Sequence, residues 1–369
     1  MAIKVLLVDD SPIAMTMLKR ILAFSPEIQV VGTAGTGKEA LALIPSCLPD
    51  VICTDLYMPQ MDGLEFISEV MATYPKPILV ISTSVQKEDK HNVFRLLEAG
   101  AVDIFPKPRG GNGSDYELVK QELIGKIKIL SGVTVFTHYR QKPTIDTIVN
   151  NREAEPSNIR YKAEPGNNKY SILNGQSKIR NRKDKIVTIG ASTGGPQALY
   201  AILTQLPLNF PVPVICIQHI SEGFLQGMVD WLAAECQMPI KIARAGEVPK
   251  PGTIYFPLER SHLEFDAQGR FLYSFSPPLG GHRPSVTVTF KSVASVYGQA
   301  AVGILLTGMG RDGAEGMQAI ASAGGVTIAQ DEASCVVFGM PKEAIALGAV
   351  QHILPITEIA SMLTRVISP

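Results

Sequence analysis

Two long stretches of the chain alternate short apolar runs with amphipathic segments, and this alternation constrains the fold more than any other feature. In residues 3–130 the apolar runs include IKVLLV, VICTDL and ILVISTS, and segments with a helical period lie between them. Residues 186–369 repeat the alternation with a different spacing, in runs such as IVTIG, VPVICIQH and AAVGILLTG. Strands that alternate with helices predict βαβ units, which build parallel sheets. Because 369 residues are more than one core usually holds, we predict two α/β domains.

The stretch between the two domains differs in composition. Residues 132–183 are rich in Asn, Lys, Arg, Ser and Pro and show no sustained apolar period. A segment of this kind does not bury enough apolar surface to fold, so it predicts a flexible linker. We therefore place the domains at residues 1–131 and 184–369. The linker is basic, whereas both domains are slightly acidic.

Charge, cysteine spacing and hydropathy exclude several classes of function. The chain has 34 basic and 34 acidic residues, so we expect neither nucleic-acid binding nor insertion into a membrane. The five cysteines show no spacing typical of a metal site and are expected to be reduced thiols. The N-terminal MAIKVLLVDD reaches two acids too early for a secretory signal, and no apolar run approaches the roughly 18 residues that span a bilayer. We expect a cytoplasmic protein.

Polar and charged residues follow the ends of four predicted strands in the first domain. VLLVDD ends in Asp9 and Asp10, VICTDL contains Asp55, ILVIST contains Ser82, and DIFPKP contains Lys107. The carboxyl ends of parallel strands meet at one edge of an open sheet, where ligands bind. Three carboxylates at this edge repel one another unless cations neutralise them, and Mg2+ does so with oxygen ligands while the lysine adds a positive charge. A carboxylate held beside Mg2+ can attack a phosphoryl group, and the serine can then hydrogen-bond the phosphate.

These residues, with the loop MPQMDG that follows Asp55, resemble the receiver domain of two-component response regulators over nearly the whole first domain. The resemblance implies a flavodoxin-like fold in which Asp55 is the phosphoacceptor and a chemotaxis histidine kinase is the phosphodonor. It further implies that Asp10, Asp55 and the main-chain carbonyl of Tyr57 ligate Mg2+. Asp9 assists in this site.

The motif GASTGGP follows the apolar run KIVTI in the second domain and precedes a helix that we predict to begin near Pro196. It has three explanations: Ser192 is a nucleophile on a strand-to-helix turn, the glycines only make a tight turn, or they bind phosphate. The phosphate explanation is the weakest, because the motif lacks the Lys-Ser/Thr of a P-loop. A dinucleotide site also expects an acid at the end of the next strand, where Gln218 and His219 stand.

A nucleophilic serine needs a base, and His219 is the candidate because it ends the next predicted strand, VPVICIQH. Neighbouring parallel strands bring this histidine to the same sheet edge as Ser192. The remaining histidines lie elsewhere; His262 and His282, for example, fall in predicted loops. The sequence therefore assigns the role of general base to His219.

An acid is needed to orient the imidazole, and three residues compete for this role. Asp312 follows the strand AAVGILLTG and the turn GMG at the head of a helix, whereas Asp331 and Glu332 follow the strand VTIAQ. We predict Asp312, and we expect main-chain N–H groups in the turn around Met309 to stabilise an oxyanion. The predicted catalytic residues are thus Ser192, His219 and Asp312.

Five motifs of the second domain resemble one family of enzymes. They are IGASTGGP, QH at the end of the second strand, GHRPSV, LTGMGRDGA and EASCVVFGMP. Together they are similar to the catalytic domain of the protein-glutamate methylesterases of chemotaxis, whose triad maps onto the three residues already chosen. The resemblance implies hydrolysis of glutamyl methyl esters on the cytoplasmic helices of methylated chemoreceptors, with release of methanol, and deamidation of receptor glutamines as a second activity. It also implies phosphorylation through the receiver and no cofactor for the hydrolysis.

Two alternatives remain for the second domain. The first is a DNA-binding output; its acidic charge, α/β alternation and lack of a helix-turn-helix pattern argue against this. The second keeps the hydrolase but changes the substrate to a small ester. The order Ser, His, Asp along the chain differs from the order in α/β-hydrolases, so we predict a separate serine hydrolase built on a doubly wound, mainly parallel sheet.

Overall fold

The structure, a computed structural model, describes residues 2–82, 90–108, 114–135 and 185–367. Most of the predicted linker, residues 132–183, lies outside the described residues. The predicted domain boundaries therefore stay predictions.

The first domain is a five-stranded parallel sheet in the order β2-β1-β3-β4-β5. Its strands are β1 (Ile3–Val8), β2 (Ile28–Ala34), β3 (Val51–Thr54), β4 (Ile78–Ser82) and β5 (Asp103–Pro106). Its helices are α1 (Pro12–Leu22), α2 (Gly37–Cys47), α3 (Gly63–Thr73), α4 (Lys90–Glu98) and α5 (Ser114–Leu130). This is the flavodoxin-like strand order, and it confirms the fold predicted for this domain.

Local sequence explains where the helices of this domain begin. Ser11 caps α1 by accepting a hydrogen bond from the Ala14 N–H, and Asp62 caps α3 in the same way by accepting from the Glu65 N–H. All residues of β3 and β4 are buried, as expected of parallel strands that are covered by helices on both faces. The two chain segments that leave β1 and β3 therefore meet at one sheet edge.

The second domain is a seven-stranded parallel sheet in the order β14-β13-β12-β6-β7-β9-β8, with a separate antiparallel hairpin of β10 and β11. Its strands are β6 (Ile186–Ala191), β7 (Val214–Gln218), β8 (Ile240–Ile242), β9 (Ile254–Phe256), β10 (His262–Phe265), β11 (Phe271–Ser274), β12 (Ala301–Leu305), β13 (Val326–Gln330) and β14 (His352–Leu354). Its helices are α6 (Gly195–Leu203), α7 (Leu225–Glu235), α8 (Val286–Tyr297), α9 (Ala314–Ser322), α10 (Met340–Ala346) and α11 (Ile356–Ile367), and one 3-10 turn covers Gly298–Ala300. The doubly wound, mainly parallel sheet is confirmed.

The strand order reverses between β6 and β12, which lie side by side at the centre of this sheet. Ligands of doubly wound sheets bind in the crevice at such a point, outside the carboxyl ends of the strands. Ser192 follows β6, Asp312 follows the turn after β12, and His219 follows the adjacent β7. One sequence-based assignment was wrong: His262, predicted in a loop, begins β10 and is buried.

The described residues of both domains form one compact unit. Trp231 of α7 stacks with two rings, Phe94 of the first domain at 5.6 Å and Tyr200 of α6 at 5.3 Å between centroids. Its indole N–H donates a 2.6 Å hydrogen bond to Glu98 on α4, and Gln197 of α6 donates one of 2.7 Å to the Ala101 carbonyl. Helix α4 thus packs on α6 and α7. In the described part of the chain, no helix combines the length and the apolarity needed to cross a membrane.

Candidate active site and acidic pocket

Ser192 lies in a sharp turn between β6 and α6. Its N–H donates a 3.0 Å hydrogen bond to the carbonyl of Thr307, which ties the turn to the segment after β12. Gly194 has a φ of 74° and lies against Val336, so a side chain there would be strained and would collide. The short turn places the serine at the sheet edge, as the sequence predicts.

Gln218, the last residue of β7, connects this turn to the histidine. Its buried side-chain N–H2 donates hydrogen bonds of 2.8 Å to the Ser192 carbonyl and 2.8 Å to the His219 carbonyl. One amide therefore fixes the backbone of both residues. The sequence analysis noted Gln218 because it is not an acid and because it belongs to the motif QH, but no local signal predicts that its amide bonds to the Ser192 turn.

The predicted base and acid contact each other directly. Nε2 of His219 lies 2.9 Å from a carboxylate oxygen of Asp312, and both side chains are nearly buried. Nδ1 of His219 is buried and has no hydrogen-bond partner among the described residues. Because Nε2 faces the acid, Nδ1 is the nitrogen that remains for a proton from elsewhere.

Asp312 is held mainly by the start of another helix, α8, and also by the N–H of Gly313, which donates a 3.0 Å hydrogen bond to its carboxylate. Its carboxylate accepts hydrogen bonds from the hydroxyl of Ser285 (2.8 Å) and from the N–H groups of Val286 (2.8 Å) and Thr287 (2.9 Å), at the N-terminus of α8. The sequence placed Asp312 at the head of α9, where the capping residue is instead Gly313. Its contact with α8 holds the acid at the Nε2 edge of the imidazole.

These donors determine the ionisation of Asp312. Burial by itself raises the pKa of this carboxyl, but the hydrogen bond and charge of His219, with the hydrogen bonds from Thr287, hold the pKa well below its usual range. The competing acid has another role: Asp331 accepts hydrogen bonds from the N–H (3.0 Å) and hydroxyl (2.5 Å) of Ser334 in the loop after β13. The structure brings Asp312, and not Asp331, to the histidine.

The glycine-rich turn after β12 approaches the serine closely. A Cβ on Gly308 would lie 2.7 Å from the Cβ of Ser192, so glycine is required at this contact. The Gly308 carbonyl accepts hydrogen bonds from the N–H groups of Gly339 (3.1 Å) and Met340 (2.9 Å), which hold the turn in place. Met309 follows with an exposed side chain. Its main-chain N–H as an oxyanion donor stays a prediction.

The sequence analysis missed His282, which it placed in a loop without a role. Its ring stacks on the ring of His219, with centroids 3.8 Å apart and an angle of 4° between the planes. Burial, the charge of His219 and the charge of Lys126 lower the pKa of His282 to about 4. The histidine in GHRPSV was the available signal, but a loop residue 63 positions after His219 has no predictable spatial neighbour.

The first domain forms the predicted acidic pocket at its sheet edge. Carboxylate oxygens of Asp9, Asp10 and Asp55 all lie within 4.8 Å of one another. Nζ of Lys107 is 2.8 Å from Asp9 and 2.7 Å from Asp55, and Ser82 is buried at the end of β4, where its carbonyl accepts a 2.7 Å hydrogen bond from the Lys107 N–H. The structure therefore brings these five side chains to one edge.

The charges in this pocket are incompletely balanced. Burial raises the pKa of Asp55, and the charge of Asp9 adds to this, although Lys107 and the Leu56 N–H oppose it. Burial alone would lower the pKa of Lys107, but its hydrogen bonds to Asp55 and Asp9 raise it. A cluster of oxygens with more negative charge than one lysine offsets suits a hard divalent cation such as Mg2+.

Comparison with known proteins identifies the families that the two domains resemble. The family model "CheB methylesterase" matches residues 187–363, and "Response regulator receiver domain" matches residues 5–112. A protein-glutamate methylesterase/protein-glutamine glutaminase of Nitrosospira multiformis is 38% identical over 99% of this chain and 97% of its own. The chain belongs to the protein-glutamate methylesterase family.

A second relative matches nearly the whole chain, and a solved structure matches the catalytic half. A protein with the same name from Syntrophus aciditrophicus is 38% identical over 98% of each chain. The solved catalytic domain of Thermotoga maritima CheB methylesterase is 37% identical and covers 50% of this chain and 100% of its own, with a TM-score of 0.49. Family membership confirms the resemblance drawn from the sequence, a methylesterase joined to a receiver domain. The methylesterase match covers the region where the alternative prediction placed a DNA-binding output.

Proposed function

We propose that this enzyme hydrolyses glutamyl methyl esters on the cytoplasmic helices of chemoreceptors and deamidates receptor glutamines through Ser192, His219 and Asp312. The observation that carries the proposal is the pairing of His219 with a buried, ionised Asp312 beside the Ser192 turn. The names of the relatives support the substrate class, since they are called methylesterases and glutaminases of protein side chains. A substrate on the cytoplasmic helices of chemoreceptors implies that the enzyme acts in the cytoplasm, in sensory adaptation.

The proposed reaction proceeds in two steps. His219 takes the proton of the Ser192 hydroxyl at Nδ1, and the serine oxygen attacks the ester carbonyl. The tetrahedral intermediate returns its electron pair, the C–O bond to the methoxy group breaks, and the methoxy group leaves as methanol with the proton from His219. Water, activated by the same nitrogen, then hydrolyses the acyl-enzyme to glutamate. In deamidation the leaving group is ammonia.

Two contacts of the structure support parts of the proposed mechanism. Asp312 accepts from Nε2, which leaves Nδ1 unprotonated and ready to act as the base, and its negative charge stabilises the imidazolium that forms. The main-chain N–H of Met309 is assigned to the oxyanion, because its turn contacts Ser192. These groups fill every role in the hydrolysis, so the proposal includes no cofactor for it.

We further propose that Asp55 accepts a phosphoryl group from a chemotaxis histidine kinase. Asp10, Asp55 and the Tyr57 carbonyl would hold Mg2+, with Asp9 assisting, because the three carboxylates already converge. The ion, when bound, neutralises the charge of the incoming phosphoryl group. Lys107 and Ser82 then contact the phosphate, the lysine by its charge and the serine through its hydroxyl.

The receiver is proposed to restrain the hydrolase until it is phosphorylated. Val336, whose side chain lies against Gly194 in the Ser192 turn, also packs against buried residues of the first domain. Lys126 of α5 is close enough for its charge to act on His282. First-domain side chains therefore reach the edge where the substrate must bind.

The test is methanol release from methylated receptor. The wild-type chain should release methanol and Ser192→Ala should not, although both fold equally well. Small esters, assayed in parallel, test the alternative substrate. Hydrolysis of a small ester without any methanol from the receptor would contradict the proposed substrate, and full activity in Ser192→Ala would contradict the triad.

A further inference from the structure

The ring of His219 is covered on one face by a second imidazole that the proposed reaction does not use. The planes of His219 and His282 are nearly parallel at 4°, and the 3.8 Å between centroids is a direct stacking contact. One edge of the His219 ring points Nε2 at Asp312, and the other carries Nδ1, which has no hydrogen-bond partner in the part of the chain that the structure describes. Rotation of the His219 ring would break its contact with Asp312, and the stacked His282 ring opposes any tilt of His219 out of its present plane.

The segment that carries His282 is itself anchored next to the acid. The backbone of His282 exchanges two hydrogen bonds with Leu279, of 3.0 and 3.1 Å. The side chain of Arg283 donates to the carbonyls of Phe275 (3.2 Å) and Ser276 (3.3 Å). Three residues after His282, Ser285 donates its hydroxyl to Asp312. The same short segment therefore positions the stacking ring and the acid.

The charge of His282 matters as much as its position. The groups that act on it are His219, Asp312 and Lys126. Burial, His219 and Lys126 lower its pKa to about 4, and Asp312 opposes them, so the ring is neutral near pH 7. A neutral aromatic face is compatible with an imidazolium on His219, whereas a second cation at this distance would repel it.

We propose that His282 is a positioning residue for the ester hydrolysis, a flat neutral ring that holds His219 in the plane joining Asp312 to the serine and keeps water from one face of the base. This inference rests on the proposed function. It assigns to GHRPSV a role in the reaction that is independent of any contact with the substrate. It also predicts that the shape of residue 282 matters more than its nitrogen atoms.

The test compares His282→Ala with His282→Phe in the full chain, with methylated receptor as substrate. Alanine removes the stack, so we expect kcat to fall by about 10-fold to 100-fold while KM changes by less than about 2-fold. Phenylalanine keeps a flat face and should retain kcat within about 3-fold of the wild type. His352→Ala, a half-buried histidine on β14, is the matched control and should leave kcat unchanged.

The pH profile separates positioning from a merely structural effect. Alanine admits water to the face of His219, which favours its protonated form, so the acid limb of kcat/KM should move to higher pH by about half a unit or more. Phenylalanine should leave the limb near its wild-type position. A merely structural defect lowers kcat without moving the limb.

Two results would overturn the inference: wild-type kcat in His282→Ala, or an equal loss in both variants with an unmoved acid limb. Thermal unfolding shows whether each variant is folded. If one of the two His282 variants is not folded, the kinetics of the other variant test the inference. Ser192→Ala in the same assay keeps the two proposals apart. If Ser192→Ala is active, the proposed function fails; if it is inactive and His282→Ala is normal, only the role of His282 fails.

Discussion

Each of the two sheet edges of this protein buries an aspartate, and the pKa values of the two carboxyl groups are shifted in opposite directions. Asp55 is 7% exposed and Asp312 is 9% exposed, yet the pKa of Asp55 is raised and that of Asp312 is lowered. Burial favours the neutral form in both. The difference comes from what faces each group: Asp55 shares one lysine with Asp9, whereas Asp312 accepts from His219 and from the start of α8.

This contrast corresponds to the two proposed tasks. An acid that must stay charged to hold an imidazole needs donors that are fixed in place, and a helix N-terminus supplies them. A carboxylate that must take up a phosphoryl group and a metal ion gains from a pocket in which its charge is not fully balanced. The same position at the edge of an α/β sheet can therefore raise or lower the pKa of a carboxyl group, because loops and neighbouring helices supply the hydrogen-bond donors that face it.

The largest expected effect comes from changing the proposed nucleophile and the proposed base. Ser192→Ala and His219→Ala should each lower the esterase rate by about 10^4-fold or more, and the double variant should lose little further, because the members of a triad act as a unit. Initial rates of methanol release, with circular dichroism to verify folding, check this. Independent, multiplicative losses would break the assignment of the two residues to one unit.

Asp312→Asn should lower the rate less, by about 10^3-fold to 10^4-fold, since the acid orients the imidazole and does not itself attack. Asp331→Asn is the matched control, because it removes a half-buried loop carboxylate that bonds to Ser334 and not to His219, and it should stay within about 3-fold of the wild type. Steady-state kinetics on both variants would identify the acid. A large loss in Asp331→Asn alone would reverse the assignment.

The next prediction concerns Asp55 and the proposed phosphorylation of the receiver domain. A small-molecule phosphodonor with Mg2+ should raise esterase activity, Asp55→Asn should block the rise, and deletion of residues 1–180 should raise basal activity without a donor. Gln197→Ala should raise basal activity by a smaller factor, about 2-fold to 5-fold, because it removes the hydrogen bonds of this amide to the Ala101 and Val102 carbonyls of the receiver. Gln205→Ala is the control, because its amide donates to the Ala201 carbonyl at the end of α6 and makes no hydrogen bond to the described residues of the receiver. A truncated protein no faster than the unphosphorylated chain would exclude steric restraint.

The smallest effect, on stability, should have opposite signs at the two aspartates. The lowered pKa of Asp312 means that its charge stabilises the folded state above the ordinary value of 3.8, and this contribution is lost as the pH falls through the folded pKa. The raised pKa of Asp55 means the reverse, so its charge disfavours folding near pH 7. Thermal unfolding at pH 7 should show Asp55→Asn a few degrees above the wild type and Asp312→Asn a few degrees below it, with each shift about 2–4 °C. Shifts of equal sign would refute the electrostatic contrast.

The fold was largely predictable because its signals are local. Buried strands such as β3 and β4 appear as continuous apolar runs, and their carboxyl ends are visible as the acids, hydroxyl and lysine that follow them. The assumption that parallel strands share one edge was enough to group Asp9, Asp10, Asp55, Ser82 and Lys107, and the structure brings them together. The same reasoning grouped His219 with Asp312.

The sequence by itself determined which residues reach each sheet edge, because strand ends and their chemistry are written in consecutive residues. Only the tertiary structure decided which helix holds Asp312, which nitrogen of His219 faces it, and that His282 covers the ring. These contacts join segments far apart in the chain through loops such as that around Leu279. A loop has no period from which its path can be predicted, so the neighbours of its side chains are set by packing.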